Sequence, residues 1–103
     1  MVGDLITFNA YKENAMKVNE NFVLREIYGT AILMPISKND VSDSPLYLNE
    51  VATVIWKQAV LHIDLNELLI SLRKIYQIER DTEEDKMLIE FILQLFDMKL
   101  LLA

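Results

Sequence analysis

The stretch Leu46-Tyr47-Leu48-Asn49-Glu50-Val51-Ala52-Thr53-Val54-Ile55-Trp56 decides the fold, because it passes from strand chemistry to helix chemistry with almost no loop between them. Leu46, Tyr47 and Leu48 are β-favouring and follow Pro45, which has no N–H to give to a ladder and suits the start of a strand or a sheet edge. A very short edge strand is the expectation. Asn49 then offers a side-chain oxygen to the free amides of a first helical turn, and Val51, Val54 and Ile55 recur at helical spacing. The spacing predicts a helix over residues 50–60 with Trp56 as its largest apolar side chain, and the junction fixes the angle between a sheet and a helical layer.

Upstream, residues 22–28 alternate: Phe22, Leu24 and Tyr28 on one side, Val23, Arg25 and Ile27 on the other, with Glu26 interrupting the first set. Gly29, followed by Thr30, takes positive φ at little cost and marks a hairpin turn. The return strand covers residues 31–34 and ends at Pro35. Ser37-Lys38-Asn39-Asp40-Val41-Ser42-Asp43-Ser44 is a polar loop leading to the short third strand. Residues 1–15 show no sustained period and read as an N-terminal arm, with local structure at most over residues 5–11, ahead of a single domain over residues 16–103.

Downstream, Asp64 with Glu67 forms a capping-box pattern that opens a second helix through Leu65, Leu68, Leu69, Leu72 and Ile75, ending near Ile78. Asp81 with Glu84, or Thr82 with Asp85, opens a third helix that runs to about Met98. No Pro or Gly follows Pro45, so nothing interrupts this helical half. Three antiparallel strands followed by three helices give an α+β fold with the helices on one face of the sheet.

Composition narrows the function. A 103-residue chain with 52% apolar residues buries roughly 60 to 65% of its unfolded surface, enough for one core. Sixteen acidic against ten basic side chains, a net charge of −6, argue against a sequence-independent grip on nucleic-acid phosphates, which needs clustered Lys and Arg. The absence of cysteine excludes disulfides, Cys-based zinc sites, iron–sulfur ligation and thiol catalysis. The N-terminus does not read as a signal peptide, since Asp4 precedes any long apolar run, and no apolar run approaches the roughly 20 residues of a membrane span. A cytoplasmic chain without a cofactor and without a membrane partner is the expectation.

The third helix is too apolar for a single contact. With Glu83 as origin, Met87, Met98, Phe91, Leu95, Leu88, Ile92, Phe96, Ile89 and Leu93 spread over roughly 240° of its circumference at about 100° per residue, where a helix packed on one side uses an arc of about 100° or somewhat more. The surplus asks for a second apolar neighbour: the N-terminal arm, another helix, a homodimer mate, or a ligand held in a groove between this helix and the edge strand. An edge strand offers unpaired amides and carbonyls to an extended peptide, and adjacent pockets select its alternate side chains. Met87 and Phe91 are better suited to face a ligand than Ile89 and Leu93, because Met adapts to varied shapes and aromatic residues anchor interfaces. Arg73, Lys74 and Lys86 are candidates to meet acidic side chains of such a ligand, with solvated helix faces and local ion pairs as the plainer account.

Leu48-Asn49-Glu50, then Ala52, then Ile55-Trp56 resembles the LNE.A..IW signature of the PqqD-like family, named for the pyrroloquinoline quinone biosynthesis protein D. Phe22-Val23-Leu24-Arg25-Glu26 with Gly29 upstream and the two-helix, Leu-rich tail downstream extend the resemblance over residues 16–101. It implies a winged helix-turn-helix-like fold and a RiPP recognition element, a non-catalytic domain that holds the leader of a ribosomally made precursor peptide. The leader would be presented to a separate maturase, of which a radical S-adenosylmethionine enzyme is one kind. The resemblance places the leader beside Pro45, Leu46, Tyr47 and Leu48 and against the Met87 and Phe91 side of the third helix. Members of that family commonly carry a glycine near the end of this helix, whereas Phe96-Asp97-Met98-Lys99-Leu100-Leu101 has none, which predicts a longer or less sharply ended helix.

Two rivals belong to other classes. A winged-helix regulator of transcription needs a basic recognition surface, and the third helix sets Glu83, Glu84, Asp85, Glu90 and Asp97 against Lys86 and Lys99. A dimeric scaffold would fill the groove with its own mate. An enzyme has little to rest on. His62 is the single histidine and lies between two helices beside Leu61 and Ile63, the adjacent carboxylates of residues 83–85 are accounted for by a helix N-terminus, and no Gly-rich phosphate loop occurs.

Overall fold

The computed structural model describes residues 15–36, 44–62 and 64–103. Its elements run β1 (Lys17–Val18), β2 (Phe22–Ile27), β3 (Thr30–Pro35), β4 (Leu46–Leu48), α1 (Glu50–Leu61), α2 (Leu65–Tyr76), α3 (Glu83–Asp97) and β5 (Leu101–Leu102). The fold is α+β and winged helix-turn-helix-like: a three-stranded antiparallel sheet, in the order β2-β3-β4, followed by three helices. The expected arm of residues 1–15 lies outside the described residues except for Ala15, which bridges to Asp64, and most of the polar loop of residues 37–44 lies outside them too.

The hairpin between β2 and β3 closes through Tyr28 (φ 51°) and Gly29 (φ 79°), the pair of positive φ angles that a two-residue type I′ turn needs to match the strand twist. Tyr28 belongs to that turn and is fully exposed; it does not share the inner face with Phe22 and Leu24 as the alternation suggested. A Cβ at Gly29 would meet nothing within 4 Å, so glycine serves the backbone angle there and not a tight space. Phe22 and Leu24 pack on the core opposite Pro35 and Leu33. Glu26, the polar interruption of that face, reaches past the end of the core to an ion pair with Lys57 of α1.

Each helix begins on a side-chain cap. The Asn49 Oδ1 accepts from the Ala52 N–H (2.8 Å), the Asp64 Oδ1 from the Glu67 N–H (2.7 Å) and the Thr82 Oγ1 from the Asp85 N–H (3.3 Å). Of the two expected openings for α3, the fold uses Thr82 with Asp85. Helix α2 stops two residues short of Ile78, where Gln77 turns left-handed (φ 54°). The core lies between the inner sheet face and the three helices, with Leu33, Ile55, Leu65, Leu68, Leu72 and Ile92 wholly buried and Trp56 beside them.

A second, two-stranded sheet was not foreseen. β1 pairs antiparallel with β5, Val18 against Leu101, and ties the start of the domain to its end. The end of α3 makes this pairing possible. Lys99 takes φ 61°, its N–H donates to the Phe96 carbonyl and the Leu100 N–H to the Leu95 carbonyl, each at 2.9 Å. These are the two bonds of a Schellman cap. The helix therefore ends sharply without a glycine, correcting the expectation of a longer or looser end. The Asn19 Nδ2 donates to the Lys99 carbonyl (2.8 Å) and the Asn19 N–H to the Leu100 carbonyl (2.9 Å).

Candidate functional site

Helix α3 turns only part of its wide apolar arc to the core. Leu88, Ile89, Ile92, Leu93 and Leu95 are buried in the core, so Ile89 and Leu93 are packing residues. The other edge of the arc is open: Met87 is 63% exposed and Phe91 half-buried. Both line a cavity of about 410 Å³ together with Leu88 and Glu84 of α3, Val51 in the first turn of α1, Tyr76 at the end of α2, and Ile78 in the α2–α3 linker.

Val51 places that cavity directly after β4, an edge strand among the described residues. The outward groups of β4 follow from ladder parity. The Ile36 N–H donates to the Asn21 carbonyl (2.9 Å), and hydrogen-bonded pairs alternate along an antiparallel ladder, so Val23 with Met34, Arg25 with Ile32 and Ile27 with Thr30 are the bonded pairs of β2 and β3. Ala31 and Leu33 then direct their backbone groups to the other side, where they meet Leu48 and Leu46. Tyr47 is left with its N–H and C=O directed away from β3. By the same alternation Pro45 offers only a carbonyl there and Asn49 only its N–H, since the Asn49 carbonyl accepts from the Thr53 N–H and Oγ1. The side chains of Leu46 and Leu48 pack on the core, and that of Tyr47, 76% exposed, stands on the outer sheet face opposite Ile32.

A buried ion pair joins α2 to α3. The Arg73 Nε and Nη2 each donate to an Asp85 carboxylate oxygen at 2.8 Å, and the Asp81 N–H donates to Oδ2 at 3.1 Å. Arg73 is on α2 and Asp85 in the first turn of α3, so the pair spans the two elements whose ends form the walls. Burial pushes the Asp85 carboxyl upward, but the Arg73 and Asp81 hydrogen bonds and the charges of Arg73 and Arg80 outweigh it and hold the group below its ordinary value. Tyr76 is the contrasting case. Its phenol oxygen is closed off from solvent and has no hydrogen-bond partner among the described residues, and burial, followed by the charge of Glu50, raises its pKa.

The structure thus gathers Met87 and Phe91 in one cavity with Val51, three residues past β4, and leaves the basic candidates out of its wall. Arg73 is engaged by Asp85. Lys86 lies roughly 100° to 140° around α3 from Met87 and Phe91, and neither it nor Lys74 is in the cavity wall. A basic spot at the groove is therefore not formed; Glu84 occupies its rim instead. Sequence reasoning missed Val51, Tyr76, Ile78 and Glu84 as wall residues. Val51 was within reach, since the junction places it between strand and helix, but Tyr76 and Ile78 depend on how the α2–α3 linker folds back. His62 caps α1 and lies 3.9 Å from the Glu67 carboxylate. Among the described residues no helix is long and apolar enough to cross a membrane. No protein-family model, curated protein or solved structure matches this chain.

Proposed function

We propose that this chain is a non-catalytic peptide-binding domain, a PqqD-like RiPP recognition element. It holds the leader of a ribosomally made precursor in the cytoplasm and presents it to a separate modifying enzyme. What carries the reading is the outward N–H and C=O of Tyr47 on an edge strand together with a mainly apolar cavity that takes in Val51, three residues past that strand, and is lined by Met87 and Phe91. An extended chain laid along β4 forms backbone bonds at Tyr47 while a side chain enters the cavity, which is recognition by strand addition. The resemblance of Leu48-Asn49-Glu50, Ala52 and Ile55-Trp56 to the family signature supports the leader as the peptide. The acidic N-terminal turn of α3 disfavours the winged-helix DNA-binding alternative.

The test is a fluorescence anisotropy titration with the labelled leader encoded by a short open reading frame neighbouring this gene. Phe91→Asp, Met87→Asp and Tyr47→Pro, each verified as folded by circular dichroism, are expected to lower affinity at least tenfold. Unchanged binding by folded variants overturns the reading.

A further inference from the structure

We propose that the peptide segment seated in this groove carries a bulky apolar side chain with a lysine or arginine close to it in sequence. The inference rests on the peptide-binding reading above and names the chemistry of the bound segment.

The cavity wall is apolar apart from Tyr76, whose hydroxyl is closed off, and Glu84 at the rim. This selects an apolar body for the side chain that enters. The charged side chains that line the opening and the depression beside it are all carboxylates. A second depression, formed by Gln77, Glu79, Thr82, Glu83 and Glu84, adjoins the first and shares Glu84 with it. Glu50 precedes the wall residue Val51 in the first turn of α1 and is a further exposed carboxylate. Glu50, Glu79, Glu83 and Glu84 are all exposed and have no ion-pair partner among the described residues. The α3 N-terminus contributes only about half a positive charge, and Arg80 of the α2–α3 linker lines neither depression. No three carboxylates converge to hold a metal ion among the described residues, so the complement to this rim is an extended organic cation. The net charge of −6 adds long-range attraction for a basic segment. An acidic leader, the partner that Arg73, Lys74 and Lys86 suggested, would meet repulsion at the mouth.

The experiment pans a phage library of random twelve-residue peptides against the full chain, then measures synthetic copies of the enriched peptides by anisotropy at low and high salt. Enriched sequences are expected to combine a large apolar residue with Lys or Arg. Phe91→Asp should abolish their binding. Glu83→Gln with Glu84→Gln should weaken it about fivefold, as loss of two exposed charge contacts implies, and exchanging the peptide's basic residues for Glu should weaken it at least tenfold at low salt. Peptides that depend on Phe91 but lack a basic bias, or are indifferent to the glutamine variant, overturn the charge assignment and leave the groove reading standing. Failure to enrich any peptide, or enriched peptides insensitive to Phe91→Asp, overturns both.

Discussion

Replacing Asp85 by Asn tests whether the clamp between α2 and α3 carries the weight its geometry suggests. The carboxylate side chain is 2% exposed and its partner Arg73 17%, so little solvent screening applies. The substitution removes the negative charge and turns an amide N–H₂ toward the guanidinium or toward the Asp81 N–H, both donors. Breaking a buried pair by altering one partner costs about 3 to 5 kcal/mol; Arg73, at the edge of the interior, can regain some water, which favours about 3 kcal/mol. A single-domain chain of 103 residues has a total stability of about 5 to 15 kcal/mol, so the variant loses a large share of it. In urea, with a slope of about 1.5 kcal/mol/M, the midpoint falls by about 2 M. Arg73→Met combined with Asp85→Leu removes both charges and should restore at least half of the loss, because an apolar pair of similar volume is often neutral relative to the ions it replaces. The wild-type chain should also lose stability in acid. The folded carboxyl holds its proton less tightly than the unfolded one, so its contribution is complete above the ordinary value of 3.8 and is lost as the pH falls through the lower folded value. Urea titrations at neutral pH and below pH 4 check all of this. An Asp85→Asn loss under 1 kcal/mol, or single substitutions that simply add in the double variant, would refute the clamp.

Two further changes probe the backbone and the orphaned phenol. Tyr76→Phe removes a buried hydroxyl without a partner and should stabilise the fold by up to about 1 kcal/mol, seen as a rise in Tm; a loss of more than 1 kcal/mol would mean that the hydroxyl is bonded. Lys99→Gly relieves a left-handed residue (φ 61°) and should stabilise by about 0.5 to 1 kcal/mol after the added freedom of the unfolded chain is counted. A lower Tm in that variant would count against the Schellman cap.

The parts legible in the sequence are those set by local chemistry. Asn49 and Asp64 announce their caps, and the third is narrowed to Asp81 or Thr82, because a short polar side chain before an apolar helical period has few other uses. Pro45 marks the edge strand for the same kind of reason, and Gly29 the turn. What escaped was nonlocal. The β1–β5 pairing joins two-residue strands from opposite ends of the domain, too short for either to show alternation. Lys99 in a left-handed cap cannot be read from residue preference, because the Asn19 bonds and the β5 pairing that help hold it come from far along the chain. On α3, the wheel shows an excess of apolar surface but not its direction. The bidentate grip of Asp85 on Arg73 removes a candidate ligand cation, and that grip depends on the angle between two helices.

The groove's two halves are unequal in what they can contribute. Strand β4 offers the incoming chain the N–H and C=O of Tyr47, the Pro45 carbonyl and the Asn49 N–H, at most four hydrogen bonds worth about 1 kcal/mol each, which the estimated loss of translational and rotational freedom offsets entirely, at about 4 kcal/mol or more. A bulky side chain seated in the cavity buries about 150 to 250 Å², or about 4 to 6 kcal/mol at 25 cal/mol per Å². The edge therefore sets register and direction, while the cavity supplies most of the affinity. The same shortness limits the edge as a template for other chains, since three residues preceded by a proline give a neighbouring strand little to pair with. It follows that Phe91→Asp should cost more affinity than Tyr47→Pro for the same labelled peptide, by at least fivefold in Kd. The reverse order would mean that backbone pairing dominates and that the bonded edge extends beyond Pro45 to Asn49.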